Sequence, residues 1–456
     1  MAAQKMQEQR MVSTQLAQAA SSTHWQALPA DVRERALDLF LDGLAVIAGA
    51  AGHSDMKSLL RQFKPEAGPV TLIAENRGVH IRDAVMLNAA ATTMLQRQDG
   101  YANAKGHPAS HLVPVLLAIA ERDSLSAAAM LSAFVAGYEI CGRVGMALGD
   151  VPPWLHDNGN WATIGVAAGA AHLLSGGDAM RIAAAIDGVS SLALYFDRFT
   201  TVAGATIHHM YPAMATLNAL SVAEASVAGF QSMPGSLERF YGPRLGTAFD
   251  SAKLSAGIAN GAWSAFEILN SYFKLHPTCA HMHGVNDAVD MLIAEASLTE
   301  ENVESIEVET FKAAMEIDAE HPHNDLAARF SIRAAAAAAI RYGRLDDEGF
   351  ENLAALAPLM ARIHARHNPE LDQFVPAGRP GVVTVHMRDG RRFSHKVIYP
   401  RGTPQTPATK TERQAKAMTL LRRHYGADSA KHIMTTALNL GSSASISNLT
   451  EALRSA

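Results

Sequence analysis

From Asp31 to about residue 269 the chain is a succession of apolar and amphipathic helical segments, with alanine and glycine at many positions where bulkier side chains would hold helices apart. In DVRERALDLFLDGLAVIAGA, Ala36, Leu37, Phe40, Leu41, Leu44, Ala45 and Ala48 recur at the three-and-four spacing of one helical face. AAAMLSAFVAGYEICGRVGMAL, ATIGVAAGAAHLL, AMRIAAAIDGVSSLAL and AMATLNALSVAEASVAGF continue in that style with few charges. Small residues let helices approach closely, so these segments predict a compact buried bundle. No fixed repeat period points to a solenoid.

The pattern changes near residue 270. VESIEVETF alternates like a half-buried strand, and GVVTVHMRDGRRFSHKVIYP reads as a hairpin whose Asp389-Gly390 supplies both positive-φ positions of a type I′ turn. Helical patterns lie between, in GVNDAVDMLIAEA, AARFSIRAAAAAAIRYG and EGFENLAALAPLMARI, which together define an α+β module. After YPRGTPQTPATKTE the chain is helical again. The expected fold is mainly α: a large all-helical domain from residues 1–269 and 402–456, with a smaller α+β domain, 270–401, inserted and facing it across a cleft.

A chain of 456 residues, 48% apolar, is long enough for two such domains. Its formal net charge of −5 is well mixed, leaving no basic stripe for nucleic acid and no polybasic membrane patch. Two distant cysteines, Cys141 and Cys279, argue against a disulfide framework and suit a reducing compartment. The N-terminal MAAQKMQEQRMVSTQ lacks the apolar core of a secretory signal, and windows such as IGVAAGAAHLL fall short of a bilayer span. The expectation is a soluble cytoplasmic protein with a small-molecule or protein partner.

Polar side chains with chemical potential gather in four loops. The first carries Gln96, Gln98, Asp99, Tyr101, Lys105 and His107; the second, PPWLHDNGNWATIG, carries His156. The third, TIHHMYPAMAT, carries His208 and His209 with Tyr211, and the fourth, YFKLHPTCAHMHG, carries Lys274, His276, Cys279, His281 and His283. Each alone has an ordinary reading. His-Pro ahead of a helix is a capping feature, and paired histidines are often surface residues. HPTCAHMH, whose histidines would project to one side of a strand, lacks the carboxylate partner and ligand spacing of a zinc site. Cys279 lacks a marked base. Together, however, histidines and a lysine at helix starts are groups that hold carboxylates and move a proton near neutral pH. Helix N-termini add N–H donors beneath an anion. Removing a proton beside a carboxylate concentrates charge on its oxygens, which cationic donors stabilise, so the ensemble points to a polycarboxylate.

These segments carry a resemblance. LFLDGLAVIAGA, GHPASHLVPVLLAIAE, GYEICGRVG, LHDNGNWATIGVAAGAAHLLSG, AARFSIRAAAAAAI and YPRGTPQTP stand in the order of the MmgE/PrpD family, which the chain resembles over nearly its whole length. The resemblance implies a metal-free, cofactor-independent enzyme, usually a homodimer, with its site between a helical domain and an α+β lid. The family's activities include 2-methylcitrate dehydratase, cis-aconitate decarboxylase and iminodisuccinate epimerase. Position by position, His107 resembles the histidine of the family's His-Pro loop and His156 that of its His-x-x-Gly loop; Asp99 matches the last acid of its Asp-x-Asp-Asp run, and Lys274, Cys279 and His283 fall in the segment leading into the lid. The chain departs from the pattern at Gln96 and Gln98, which replace aspartates, and at His208, which stands for a lysine, with Tyr211, Ala213 and Met214 following.

The first functional expectation is a lyase that abstracts a proton α to a carboxylate and expels water or carbon dioxide. His107, His156 and His208 are its catalytic candidates. Its substrate-binding candidates are Gln98, Asp99, Tyr101, His209, Tyr211, Lys274, Cys279, His281 and His283. The second is an epimerase working by two-base proton transfer; the third is a silent relative that only binds an anion.

Overall fold

A computed structural model describes residues 11–157 and 159–454 of the chain. Residues 1–10, on which part of the N-terminal reading rests, lie outside the described residues. The fold is mainly α. Its principal helices are α1 (Ala30–Ala50), α2 (Ile81–Ala91), α3 (Pro108–Arg122), α4 (Ala127–Leu148), α5 (Ala162–Ser175), α6 (Ala179–Ser191), α7 (Met210–Val227), α8 (His283–Ala296), α9 (Ile332–Tyr342) and α10 (Lys410–Leu421). One hydrophobic core draws on residues from Leu16 to Phe273 and resumes from Ala417 to Leu453; a second runs from Met282 to Met387.

Among the described residues, the region predicted all-helical also contains a ribbon of 67–71 with 78–79, a strand 100–101 that pairs with 271–272 of the predicted α+β segment, and a ribbon of 258–259 with 262–263. The second of these ties a loop of the first core to the segment that leads to the second. Helix α4 is long and apolar enough to cross a membrane by length and composition, but 89% of its apolar window is buried inside the protein. Its apolarity serves packing against α5, where glycines face one another. A Cβ on Gly165 would lie 2.4 Å from Cys141 Sγ and 2.4 Å from the Gly137 carbonyl oxygen. Neither the buried thiol nor the backbone can yield that much. Gly165→Ala is therefore expected to destabilise the protein by about 1–3 kcal/mol, read as a lowered urea midpoint at unchanged slope.

The tail returns to the first core through buried ion pairs. Arg413 and Lys416 of α10 meet Asp38 and Asp42 of α1 at 2.7 and 2.6 Å. Neither carboxylate would tolerate burial without its cation.

The second core packs α8 and α9 on a four-stranded sheet of β1 (Val303–Thr310), β2 (Ile363–His367), β3 (Gly381–Met387) and β4 (Arg392–Val397), in the order β4-β3-β1-β2. β1 pairs parallel to β2 and antiparallel to β3. The predicted hairpin forms as β3–β4, but its turn is not type I′. Gly390 alone has positive φ (88°), with the Gly390 N–H donating to Met387 O and the Met387 N–H to Arg391 O, both at 2.9 Å. This is a three-residue loop closed by a left-handed glycine. Asp389 stays on the right-handed side, where its carboxylate accepts the Arg391 N–H at 3.1 Å. The predicted helix through AARFSIRAAAAAAIRYG is also interrupted: a short turn, Asp325–Ala328, precedes α9, whose Ser331 cap accepts the Ala334 N–H.

Candidate active site

A cavity of about 350 Å³ is walled by residues of both cores. The loop 95–107 forms one side, its backbone held at two points and one of its side chains at a third. Arg329 donates to Leu95 O (2.9 Å), Lys416 donates to Arg97 O (2.7 Å), and the Arg97 guanidinium donates to Leu275 O (3.1 Å). Gln96, held at φ 50°, and Gln98 line the cavity between these anchors. The adjoining Gly100–Tyr101 pairs antiparallel with Ser271–Tyr272, which brings Lys274 into the same wall. Gly100 is required there, since a Cβ would sit 2.0 Å from the Tyr272 ring.

His107 opens α3 at the cavity wall. Its Nδ1 lies 2.5 Å from Asp99 O. A carbonyl only accepts, so Nδ1 carries the hydrogen and Nε2 has the lone pair. Burial, and next the Lys274 charge, push the His107 pKa down to about 3. Asp99, expected in the pocket, does not line it. Its carboxylate accepts the N–H groups of Ala109 (3.1 Å) and Ser110 (3.0 Å), capping α3, and burial pushes its pKa up to about 7. Asp99 thus holds His107 in place.

His156 and Arg198 arrive together. A bridge pairs Leu155 with Asp197, the His156 N–H donating to Phe196 O and the Arg198 N–H to Trp154 O, both at 2.9 Å. Both side chains line the cavity. The His156 ring lies 4.8 Å from that of His208, and Gln96 Nε2 is 3.3 Å from His208 Nε2. Burial, then neighbouring His156, drive the His208 pKa well below the usual range. Asp157 sits between two rings, with Oδ1 3.1 Å from His156 Nδ1 and Oδ2 3.6 Å from His107 Nε2. Burial alone would raise its pKa, but His156, His107 and Arg198 hold it well below the carboxylate range.

The opposite wall supplies Lys274, Cys279, His281 and Arg379. Lys274 is 1% exposed, and burial lowers its pKa to about 8 against the opposing pull of Cys279 and Asp157. Arg379 is also buried; its Nη1 donates to Gly378 O at 2.8 Å, while its Nε has no hydrogen-bond partner among the described residues. Burial raises the Cys279 pKa, which keeps the sulfur a thiol, and its Sγ lies 3.4 Å from His281 Nδ1.

His281 stacks on Phe311 with 5.5 Å between ring centroids. His283, two residues on, turns away from the cavity toward His276. The segment is a helical turn rather than the strand anticipated, so residues two apart point in nearly opposite directions.

Three other predicted binding residues also stand behind the wall. Tyr101 donates to Glu267 (2.5 Å), and His209 contacts Thr93 (3.0 Å) and faces Asp55 (3.8 Å). Tyr211 donates to Asp197 O (3.1 Å) and Thr200 (3.2 Å) while stacking on Phe196. Each uses its polar atoms on structure. Lys105, on the rim, pairs with Asp150 at 2.7 Å. Of the sequence candidates, Gln98, His107, His156, His208, Lys274, Cys279 and His281 share the cavity.

Asp157, Arg198 and Arg379 were missed. The signals were present: Asp157 follows His156 directly, Arg198 sits in YFDRFTT shortly before the His208 loop, and Arg379 lies in the turn-rich PAGRPG.

Outside the cavity, His276, Asp287 and Asp290 bring candidate ligand atoms within 4.8 Å of one another. Their charge is already matched. His276 Nε2 is 2.8 Å from Asp287 Oδ1, and Arg401 donates to Asp287 (2.6 Å from its backbone, 3.2 Å from Nε) and to Asp290 (3.1 Å). The group braces the two connections between the cores.

The MmgE/PrpD N-terminal domain model matches residues 14–250 and the MmgE/PrpD C-terminal domain model matches residues 276–441. The chain belongs to the MmgE/PrpD family. A cis-aconitate decarboxylase of Aspergillus terreus is 24% identical over 437 residues, covering 86% of each chain. A cis-aconitate decarboxylase-like protein of Aspergillus oryzae, oryM, is 33% identical over 131 residues, 26% of this chain and 27% of its own. The family and the names of these relatives point to an enzyme of the dehydratase and decarboxylase group.

Proposed function

We propose that the protein is a lyase that removes water or carbon dioxide from a small polycarboxylate, using only its own side chains. One observation carries the reading: a single cavity combines three adjoining histidines, His107, His156 and His208, with three cationic groups, Lys274, Arg198 and Arg379. The cations hold the substrate's carboxylates and disperse the charge that accumulates on them in the transition state. The histidines move the proton. In a dehydration, a neutral imidazole takes the C–H proton, the electron pair becomes the new C=C bond, and the departing hydroxyl leaves as water after receiving a proton from a second group. In a decarboxylation, the electron pair of the broken C–C bond stays on carbon, which an imidazolium protonates as carbon dioxide leaves.

Burial keeps His107 and His208 neutral in the cavity. An arriving polycarboxylate brings negative charge, which makes an imidazolium easier to form when the chemistry needs one. The inserted second core acts as a lid in this reading, because Cys279, His281 and Arg379 belong to it or its connections. The exposed groove carrying Leu192, Phe230 and Met233 on the first core is the surface proposed to pair two copies in a cytoplasmic homodimer.

Epimerisation is the second reading. It is favoured by His281, which reaches the cavity from a different segment from His107 and His156 and can serve as a second proton carrier.

The test is incubation of the purified protein with citrate, 2-methylcitrate, cis-aconitate and iminodisuccinate, following alkene content, carbon dioxide and optical rotation. Alkene formation or carbon dioxide release supports the lyase; loss of rotation without either supports the epimerase. No change with any of the four overturns both for these substrates.

A further inference from the structure

We propose that Asp157 is a positioning residue for the proton-transferring histidine. It fixes His156 with its hydrogen on Nδ1 and stabilises the imidazolium that His156 becomes when it takes the substrate's proton on Nε2. The inference rests on the dehydration or epimerisation reading of the cavity for its catalytic half only, since the tautomer is a property of the resting protein.

The geometry is asymmetric between the two rings that Asp157 serves. His107 has its Nδ1–H committed to the Asp99 carbonyl at 2.5 Å, and only its Nε2 faces Asp157 Oδ2, at 3.6 Å. His156 presents Nδ1 to the other carboxylate oxygen at 3.1 Å. An ionised carboxylate accepts but cannot donate, so a neutral His156 at that distance is held as the Nδ1–H tautomer and carries its lone pair on Nε2. The carboxylate is ionised in this setting, with the Arg198 guanidinium and both imidazoles around it. When His156 Nε2 receives the proton, its C–H electron pair remains with the substrate, either delocalised into the adjoining carboxylate or forming the alkene. The positive charge on the ring then lies beside Asp157. Removing the carboxylate therefore removes stabilisation that exists only after proton transfer, which lowers kcat more than it raises KM.

The backbone locks the arrangement. The Asn160 backbone N–H donates to Asp157 O at 3.1 Å, and the His156 N–H is anchored to Phe196 O at 2.9 Å, so the two neighbours present their side chains from a fixed turn. Their adjacency in sequence is what lets one carboxylate reach a ring on its own segment and a second ring from the His-Pro loop.

Long-range proton–nitrogen spectra of protein carrying ¹⁵N-labelled histidine distinguish the two tautomers directly and need no turnover. His156 is expected as the Nδ1–H form in the wild type and as a mixture with Nε2–H in Asp157→Ala; Asp157→Ser serves for the same spectrum if the alanine variant does not fold. In parallel, Asp157→Asn, which preserves volume, is expected to lower kcat for whichever polycarboxylate the wild type turns over by at least about 100-fold, with KM changed less than about fivefold. A wild-type His156 in the Nε2–H form, or an unchanged tautomer on losing Asp157, overturns the proposal even if turnover is confirmed. Absence of turnover with an Nδ1–H His156 leaves the positioning role standing and overturns the lyase reading instead.

Discussion

His156→Ala is expected to lower kcat by between about 100-fold and 10,000-fold, with KM within several-fold of wild type. The size follows from what the side chain does. His156 is in the cavity, next to His208 and 3.1 Å from Asp157, while in the proposed function Lys274, Arg198 and Arg379 hold the carboxylates. Deleting the ring removes a proton carrier and leaves the anion-binding groups in place. His107→Ala is expected to fall in the same range, with an additional small loss of stability, because the Nδ1–H bond to Asp99 O also ties the loop to the start of α3. Steady-state kinetics measures both, with thermal melting as a check on folding. Retention of more than a tenth of wild-type kcat removes the substituted histidine from the mechanism.

A second large effect is loss of the folded state in mild acid. His107 and His209 are pushed down to about 3, and His111 and His172 to about 4, in each case chiefly by burial. In the unfolded chain the same rings titrate near 6.5. Between these limits the unfolded state binds protons that the folded state refuses, so stability is fully present above pH 6.5 and is lost as pH falls. Each ring contributes roughly 1 kcal/mol per pH unit in that window, and four together roughly 4 kcal/mol per unit, against a total stability of about 5–15 kcal/mol. Asp99 works in the opposite sense. Its folded pKa of about 7 lies above the unfolded value near 4, so its contribution is lost as pH rises through that interval. Asp38, Asp42, Glu139 and Asp187, which burial also pushes up, act in the sense of Asp99. His208, His281 and His283, which burial pushes down, add to the imidazoles, and the low-lying Asp157 and Asp325 also lose stability as pH falls. The melting temperature is expected to fall steeply from pH 7 to pH 5, with unfolding near pH 4; a melting temperature that holds within a few degrees across that range contradicts the account.

Much of this was legible in the sequence because helix burial writes itself as periodicity. The helix of Leu37, Phe40, Leu41 and Leu44 was predicted from spacing and forms as α1, and the glycines of GYEICGRVG and ATIGVAAGAA do lie where α4 and α5 cross. What escaped was whatever the period does not encode. In IHARH only Ile363 is buried, so β2 has almost no alternation to detect. Its strand character comes from parallel pairing with β1, a partner more than fifty residues away. The turn at Asp389-Gly390 was assigned two positive-φ residues from its dipeptide, whereas the Asp389 carboxylate finds a partner in the Arg391 N–H that only a longer loop offers.

The site divides in the same way. His107, His156, His208 and Lys274 announced themselves as titratable residues in loops ahead of apolar helices, and the fold brings all four to one cavity. Tyr101, His209 and Tyr211 had the right chemistry on the wrong side of their backbones, and their polar atoms are satisfied by Glu267, Thr93 and Thr200. Direction around a turn is decided by packing, which single-residue chemistry does not carry. Arg198 and Arg379 were passed over because an arginine in a loop usually faces solvent. Only the neighbouring bridge at Asp197 and the burial of the Gly378-Arg379 segment turn them inward.

The proposed function has the cavity's own histidines move a substrate proton with no help from a metal. The direct measurement is proton NMR of chelator-treated protein in deuterium oxide with cis-aconitate, 2-methylcitrate or iminodisuccinate, run beside His156→Ala. The account predicts deuterium at a carbon adjacent to a carboxylate, or loss of that carbon's proton together with water to give the alkene, in the wild-type sample and at most a hundredth of that rate in the variant. Conversion that appears only when a divalent metal is restored, or that proceeds equally in His156→Ala, contradicts it.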